Sequence, residues 1–228
     1  MLRVVSYNIH SGKDILFRQR LEQIAETVVS LGADVIALQE VHQNSRRGYQ
    51  LDQLLQWLGC NGVFGPALRV SDGAYGNAIL TRLPILERTV NSLPSDGEPR
   101  SVLKVLLNWN GRELEVWNTH LSLGREDRNR QLATLTREIH QRKSDRPFIL
   151  TGDFNTTQPR LGGYLQDCAK EKERQTLPTM ILMKKRVDFI YVSADVSVLD
   201  YEVSDARWSD HFPIIATLGV DREAGAFP

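Results

Sequence analysis

The stretch Ile149 Leu150 Thr151 Gly152 Asp153 Phe154 Asn155 constrains this chain more than any other, because an apolar run ends there on Gly-Asp-x-Asn. Such a run reads as a buried strand that delivers two oxygen-bearing side chains to the rim of a sheet, where loops carry chemistry. The arrangement recurs along the chain. Ser6 Tyr7 Asn8 follows Leu2 to Val5, Gln39 Glu40 follows Val35 to Leu38, Asn118 Thr119 His120 follows Leu114 to Trp117, and Ser209 Asp210 His211 precedes Pro213 to Ala216. Strand edges that each carry an Asn, Asp, Glu or His make up the donor set of a hard-metal, phosphate-handling site.

These residues run from Asn8 to His211, so a single domain over residues 1–220 is expected, with a frayed tail over 221–228. At 228 residues and 41% hydrophobic composition the chain can bury a sizeable core. Lys+Arg 28 balance Asp+Glu 28, so the global charge asks for neither nucleic acid nor an acidic membrane, although a local basic face stays open. Cys60 and Cys168 lie far apart without metal-ligand spacing and read as buried free thiols in a reducing compartment. Met1 to Val5 runs straight into a strand pattern, with no leader-like or membrane-spanning apolar segment. A soluble, cytoplasmic monomer with no protein partner is the expectation.

Hydrophobic spacing predicts helices over Phe17 to Leu31, Tyr49 to Leu58 and about Arg125 to Gln141, the first two closed by Gly32 and Gly59. Ser71 to Tyr75 reads as a polar loop before the strand Gly76 to Arg82. Residues 85–121 read as antiparallel strands with turns at Ser95 to Pro99 and Asn108 to Gly111, and Asn110 Gly111 is a hairpin signal. Pro159 to Ala169 suggests a short helix, and Val187 to Val192 and Val196 to Val203 read as strands. The charged outer face of the third helix reads as solvated surface. Strands in pairs interrupted by these helices predict an α+β sandwich, two mixed sheets face to face with helices outside.

Single residues leave alternatives open. Asn8 reads either as a turn residue or as a ligand. Glu40, directly after a buried run, is either a solvated strand end or a carboxylate bound to a cation. Arg46, Arg47 and the basic run Lys184 Lys185 Arg186 either touch an anionic substrate or are solvated. Met180 Ile181 Leu182 Met183 is either an exposed apolar loop or a buried strand.

Taken together, Tyr7 Asn8 Ile9 His10, Leu38 Gln39 Glu40 Val41, Gly76 Asn77 Ala78 Ile79 Leu80, Asn118 Thr119 His120 Leu121, Gly152 Asp153 Phe154 Asn155, Arg186 Val187 Asp188 Phe189 Ile190 and Ser209 Asp210 His211 Phe212 Pro213 resemble, in order, the motif set of the endonuclease/exonuclease/phosphatase superfamily. That superfamily includes DNase I-like nucleases, abasic-site endonucleases, neutral sphingomyelinases and inositol-phosphate phosphatases. The resemblance implies a four-layer α/β/β/α sandwich with its site at one end of the paired sheets. It implies Glu40 as principal Mg²⁺ (or Mn²⁺) ligand, with Asn8 beside it and Asp210 near or on the metal. Asp153 and Asn155 hold the attacking water and a phosphate oxygen, His211 oriented by Asp188 contacts the phosphate, and His120 is a second histidine at the scissile group. Asn77, Arg100, Lys184, Lys185 and Arg186 are the substrate-binding candidates, Arg100 otherwise reading as a surface ion pair. His120 departs from the abasic-site branch, which resembles a pattern with Tyr at that strand end.

The expected function is divalent-metal-dependent hydrolysis of a phosphodiester by activated water, with DNA or RNA as the leading substrate. A lipid phosphodiesterase of sphingomyelinase type or a phosphatase is the alternative, and a non-catalytic binding module the least favoured. A lipid substrate calls for an exposed apolar loop beside the site.

Overall fold

A computed structural model describes residues 1–142 and 146–220. The tail expected over 221–228 lies outside the described residues.

Among the described residues, thirteen strands form two mixed sheets. In the first, β12 (Val196–Val203), β13 (Ile214–Val220), β1 (Leu2–Asn8), β2 (Val35–Asn44), β5 (Gly73–Thr81) and β4 (Asn61–Val70) lie side by side, and the short β3 (Gly48–Tyr49) pairs with β2. The second runs β10 (Gln166–Asp167), β11 (Asp188–Val192), β9 (Phe148–Asp153), β8 (Arg112–His120), β7 (Arg100–Trp109) and β6 (Ile85–Leu93). The helices α1 (Leu21–Ser30) and α2 (Gln50–Leu58) cover the outside of the first sheet, and α3 (Arg125–His140) covers the outside of the second. A single-turn α4 (Cys168–Glu171) packs on β11 and β12.

Strand parity explains the layering, since successive side chains face opposite sides of a sheet. Leu2 and Val4 of β1, Val35 and Ala37 of β2, Leu114 and Val116 of β8, Ile149 of β9 and Ile190 of β11 all join the core between the sheets. Their neighbours Val5, Ile36 and Leu38 face α1 and α2, while Trp117, Phe148, Leu150 and Phe189 face α3. Both faces are thus buried, and each fully buried Leu, Ile or Phe contributes roughly 1.5–3 kcal/mol. At one end of the sandwich the inner-face positions turn polar. Ser6 and Asn8, Gln39, Asn118 and His120, Thr151 and Asp153, and Asp188 continue the inward parity of their strands and stay buried.

Several boundaries differ from the sequence reading. The first helix starts at Leu21 instead of Phe17, because residues 13–19 form a small hairpin-like tip whose Phe17 has φ 59°. The second starts at Gln50 because Tyr49 pairs with Gln43 of β2. Strand β5 begins at Gly73, inside the expected loop. The helix suggested over Pro159 to Ala169 is replaced by turns, β10 and the start of α4, because Gly162 and Gly163 take φ 74° and 77°. Strand β4 lies where the sequence pattern suggests no element; Pro66 sits at a bulge that breaks its alternation. No helix among the described residues is long and apolar enough to cross a membrane.

Candidate active site

Four strand ends and one loop converge at the polar end of the sandwich. Strands β8 and β9 run parallel, with His120 opposite Asp153, and β11 runs antiparallel to β9, with Asp188 opposite Asp153. Gly152 makes this approach possible: a Cβ there would lie 1.9 Å from the Thr119 carbonyl oxygen, and its φ is +139°. On the facing sheet β1 ends at Asn8, parallel to β2. The loop carrying Asp210 and His211 is tied to β1 by Ser209, whose hydroxyl donates to the Asn8 carbonyl at 2.7 Å.

A pair of buried amides stitches the sheets together beneath the site. Gln39 Nε2 donates to Asn118 Oδ1 at 2.7 Å, and Asn118 Nδ2 donates to the carbonyls of Leu38 and Ala78, each at 2.9 Å. The β2–β5 register shifts between Leu38 and Val41, and Glu40 within that bulge has φ 61°. A non-glycine residue in the left-handed region costs about 1–3 kcal/mol and persists where surroundings over-determine it. Here the bulge lets Gln39 keep its inward place while Glu40 turns to the site rim.

Asp153 is the hub. Its Oδ1 accepts from the Asn155 N–H at 2.8 Å and its Oδ2 accepts from Asn8 Nδ2 at 3.1 Å. Two histidines point Nε2 at the same oxygen, His120 at 3.5 Å and His211 at 3.7 Å. Burial and the charge of Asp188 push the Asp153 carboxyl up to about 7, against the lowering effect of His211 and the donated hydrogen bonds. His211 is shifted the other way from what its burial would do. Asp188 accepts from its Nδ1 at 2.8 Å, and the carboxylates of Asp188, Asp153 and Asp210 hold it protonated up to about 10.

His120 is neutral, because burial, then the charges of Arg100 and His211, drive its pKa well below the ordinary imidazole value. Arg100 Nη1 lies 3.2 Å from its Nδ1. A guanidinium only donates, so Nδ1 accepts and the proton sits on Nε2, facing Asp153.

Glu40 Oε1 accepts from Asn8 Nδ2 at 3.0 Å. Its pKa is raised, chiefly by burial and further by the charge of Asp210, partly countered by Asn8, His10 and His211. A half-buried carboxylate facing a second acid is the hard oxygen donor set of a divalent cation, and the repulsion between the two acids is the observation the ion fits. A second group, Asp153, Asp188 and His211, also brings three potential ligand atoms within 4.8 Å of one another. His211 there is cationic and its Nδ1 is committed to Asp188, so that group holds a proton.

The other expected residues divide. Asn155 has φ 49° and donates its side-chain amide to the Leu121 carbonyl at 2.8 Å, and its backbone N–H is the group that meets Asp153. Asn8, expected as a metal ligand, turns its amide nitrogen to both carboxylates and its oxygen to the His10 N–H at 3.0 Å. Asn77 is buried and donates to the Ser101 carbonyl at 3.1 Å, where it supports β7 and makes no open contact surface. Arg100 is no surface pair: it is 7% exposed, meets Glu98 at 2.7 Å and backs His120. Lys184 and Lys185 are exposed on the loop before β11. Arg186, expected to touch substrate, is turned into the protein. It is paired with Asp167 and its guanidinium lies 4.2 Å over the Phe189 ring.

That pairing carries its own expectation. Arg186→Ala leaves the Asp167 carboxylate buried without its cation and is expected to lower unfolding free energy by about 3–5 kcal/mol. Urea denaturation checks this, with little change in substrate affinity of the folded protein.

One feature escaped the sequence reading. Beside Asn155 lies a cleft of about 460 Å³, lined by Arg125, Arg128 and Arg160 together with Asn129, Thr156 and Gln158, with no acidic residue in its wall. The helix face read as solvated surface supplies half of it; Arg125 and Arg128, three apart in the first turn after the His120 loop, were the available signal.

The sequence model described as "Endonuclease/Exonuclease/phosphatase family" matches residues 5–211. Uncharacterized protein YbhP of Escherichia coli (strain K12) is 25% identical over 242 residues, covering 95% of this chain and 95% of that protein. Inositol phosphosphingolipids phospholipase C of Schizosaccharomyces pombe is 25% identical over 134 residues, 53% of this chain and 31% of the relative. Among solved structures, humanized D. rerio TDP2 superposes with TM-score 0.81 at 19% identity over 96% of this chain and 99% of that one. Mannosyl-6-phosphatase Bt3783 of Bacteroides thetaiotaomicron gives 0.76 at 23%, over 96% and 100%. These two likenesses carry the fold.

Proposed function

This chain belongs to the endonuclease/exonuclease/phosphatase family, whose members hydrolyse phosphoester bonds, and on that premise we propose that it is a divalent-metal-dependent phosphodiesterase. The observation that carries the reading is geometric: His211 Nε2 and His120 Nε2 converge on Asp153 Oδ2 at 3.7 and 3.5 Å while Asp188 holds His211 Nδ1 at 2.8 Å, an arrangement that raises the Asp153 carboxyl towards a base and keeps His211 an acid.

Glu40 and Asp210 would hold the metal, with Asn8 fixing Glu40. A bound Mg²⁺ or Mn²⁺ supplies neutralisation of charge at a phosphoryl oxygen. The protein's own groups do the rest. Asp153 accepts a proton from the attacking water as its oxygen bonds to phosphorus. The ester P–O bond breaks, and the departing oxygen takes a proton from His211 Nε2. His120 Nε2–H and the Asn155 amide donate to the phosphoryl oxygens, where negative charge accumulates. Asp188 does not touch substrate; it orients His211 and keeps it cationic.

Ionised Asp153 and protonated His211 are both required. Raising the pH through about 7 therefore switches activity on, and raising it past about 10 switches it off. The expected kcat profile is bell-shaped with limbs near those values, read on a soluble diester substrate at saturating metal.

For the substrate, the arginine cleft suits a diester that carries further negative charge on the Asn155 side. A nucleic-acid strand meets that requirement, and D. rerio TDP2 has been solved with single-strand DNA product. A phospholipid headgroup meets it as well, and one more observation favours it. Leu182 and Met183, in the loop before β11, are 72% and 60% exposed, so the apolar loop that a lipid substrate calls for is present. The S. pombe phospholipase C similarity points the same way. In this reading the enzyme works from the cytoplasm as a monomer, with residues 1–220 as one domain. The test is hydrolysis by EDTA-treated protein, with Mg²⁺ or Mn²⁺ restored, of plasmid DNA, single-stranded DNA, RNA, sphingomyelin, anionic phospholipids and inositol phosphates. Metal-dependent turnover of a diester supports the proposal; turnover unaffected by EDTA, or of monoesters alone, overturns it.

A further inference from the structure

The apolar side chains at the mouth of the site lie on two separate loops that meet at Asp210. On one side, residues 13–19 form the tip before α1, closed by a bridge between Lys13 and Gln19. Leu16 and Phe17 stand at its end, 59% and 69% exposed. On the other, Leu182 and Met183 crown the loop leading to β11. The tip reaches the corner through Phe17, whose ring centroid is 5.5 Å from that of His10, and His10 Nδ1 is 3.9 Å from Asp210 Oδ1. The second loop is anchored there directly, with Ile181 N–H donating to the Asp210 carbonyl at 2.9 Å and Met180 bridging to His211.

The tip is built, not frayed. Asp14 is buried at its base, paired with Arg20 at 3.0 Å, and its Oδ1 accepts from the N–H groups of Leu16 at 2.9 Å and Arg18 at 3.0 Å. A carboxylate that satisfies the turn holds Leu16 and Phe17 outward, and Phe17 keeps φ 59° to do so. Apolar residues fixed in water by such a scaffold mark an interaction surface.

Charge identifies the occupant. The cations on the two loops are Lys13, Arg18, Lys184 and Lys185, and none of them is in an ion pair among the described residues. Asp14, the acid of the first tip, and Asp167 of β10, the partner of Arg186, are neutralised internally, and Asp210 is the acid at which the two loops meet. Apolar tips interleaved with unpaired cations match an anionic bilayer, where side chains enter the acyl boundary while Lys and Arg meet headgroup phosphates. A nucleic-acid strand could stack a base on Phe17 but offers no apolar partner to Leu16, Leu182 and Met183.

We propose that the Leu16–Phe17 and Leu182–Met183 tips, with Lys13, Arg18, Lys184 and Lys185, dock the mouth of the site on an anionic phospholipid membrane. The substrate is then a diester borne by that bilayer. This deepens the phosphodiesterase reading and relies on it only for the chemistry of the docked site.

Binding is measured without turnover, by flotation of a Glu40→Gln protein with vesicles of phosphatidylcholine alone or mixed with phosphatidylglycerol. The expected result is partition into anionic vesicles that falls at least tenfold in the added triple change Phe17→Ser, Leu182→Ser, Met183→Ser. It should also fall about fivefold for each of Lys184→Ser and Lys185→Ser at low salt. The triple change in the otherwise native chain should keep hydrolysis of a soluble diester and lose hydrolysis of vesicle lipid. Absence of flotation, or flotation unchanged by the triple variant, overturns the proposal. So does single-stranded DNA binding that depends on Lys184 and Lys185 without any lipid binding, or a dimer in solution that the triple variant dissolves. A floating protein without diesterase activity separates this proposal from failure of the catalytic one.

Discussion

Asp153→Asn is expected to lower kcat about 10²- to 10⁴-fold and to remove the acidic limb of the pH profile. The carboxylate is the group near 7 that receives the water proton, and an amide cannot receive it. Stability moves in a direction that separates base from scaffold. Asp153 titrates at about 7 in the fold, above the ordinary carboxylate value, so its ionised form is disfavoured by folding. The contribution of Asp153 to stability therefore falls as pH rises from about 4 to about 7 and is level above that, while His211, held protonated up to about 10, adds a further loss between about 6.5 and about 10. The substitution removes the repulsion from Asp188 but turns an amide towards the donors of Asn8, His120 and His211, so the net change in melting temperature near pH 8 is expected to be small against the loss of rate. Thermal melts and kcat measured over the same pH range decide the matter. A variant that keeps the acidic limb assigns it to another group.

Glu40→Gln carries the second large effect, through metal affinity. In EDTA the variant is expected to melt no lower than the native chain, because it removes a partly desolvated charge that Asp210 opposes. Adding Mg²⁺ or Mn²⁺ should then stabilise the native chain and not the variant. A cation at 100 times its Kd stabilises by about 2.7 kcal/mol, which a melting curve reads easily. At a fixed millimolar metal concentration kcat/KM should fall at least about 10³-fold, the several kcal/mol that metal assistance supplies. Equal stabilisation of both proteins by the ion would place it elsewhere.

Strand parity made most of the site legible. Asn8, His120 and Asp153 each end an apolar run in register with its inward residues, so the sequence pattern already says that they share one face and one end. Tertiary pairing was not legible in the same way. Arg186 looks like a substrate contact beside Asp188, and only the β10–β11 pairing brings Asp167 to its guanidinium. Asn8 as hydrogen-bond donor to two acids, and Arg100 as the backing of His120, depend on rotamers that spacing does not encode. Met180 to Met183 is ambiguous by nature, since four apolar residues in a row describe a buried strand and an exposed tip equally well. The arginine cleft needed α3 to lie against the loop after Asn155, a packing that helical periodicity alone does not specify. Gln39 and Asn118 stood in the motifs, yet their union across the sandwich appears only when the two sheets are face to face.

Glu40 and Asp210 are proposed to hold a divalent cation beside a proton-holding cluster of Asp153, Asp188 and His211. Anomalous diffraction at the manganese edge from crystals soaked in Mn²⁺ tests it most directly. The expected peak lies within about 2.0–2.3 Å of carboxylate oxygens of Glu40 and Asp210, and it is absent in Glu40→Gln. A peak seated instead among Asp153, Asp188 and His211, or one unaffected by the substitution, contradicts the assignment.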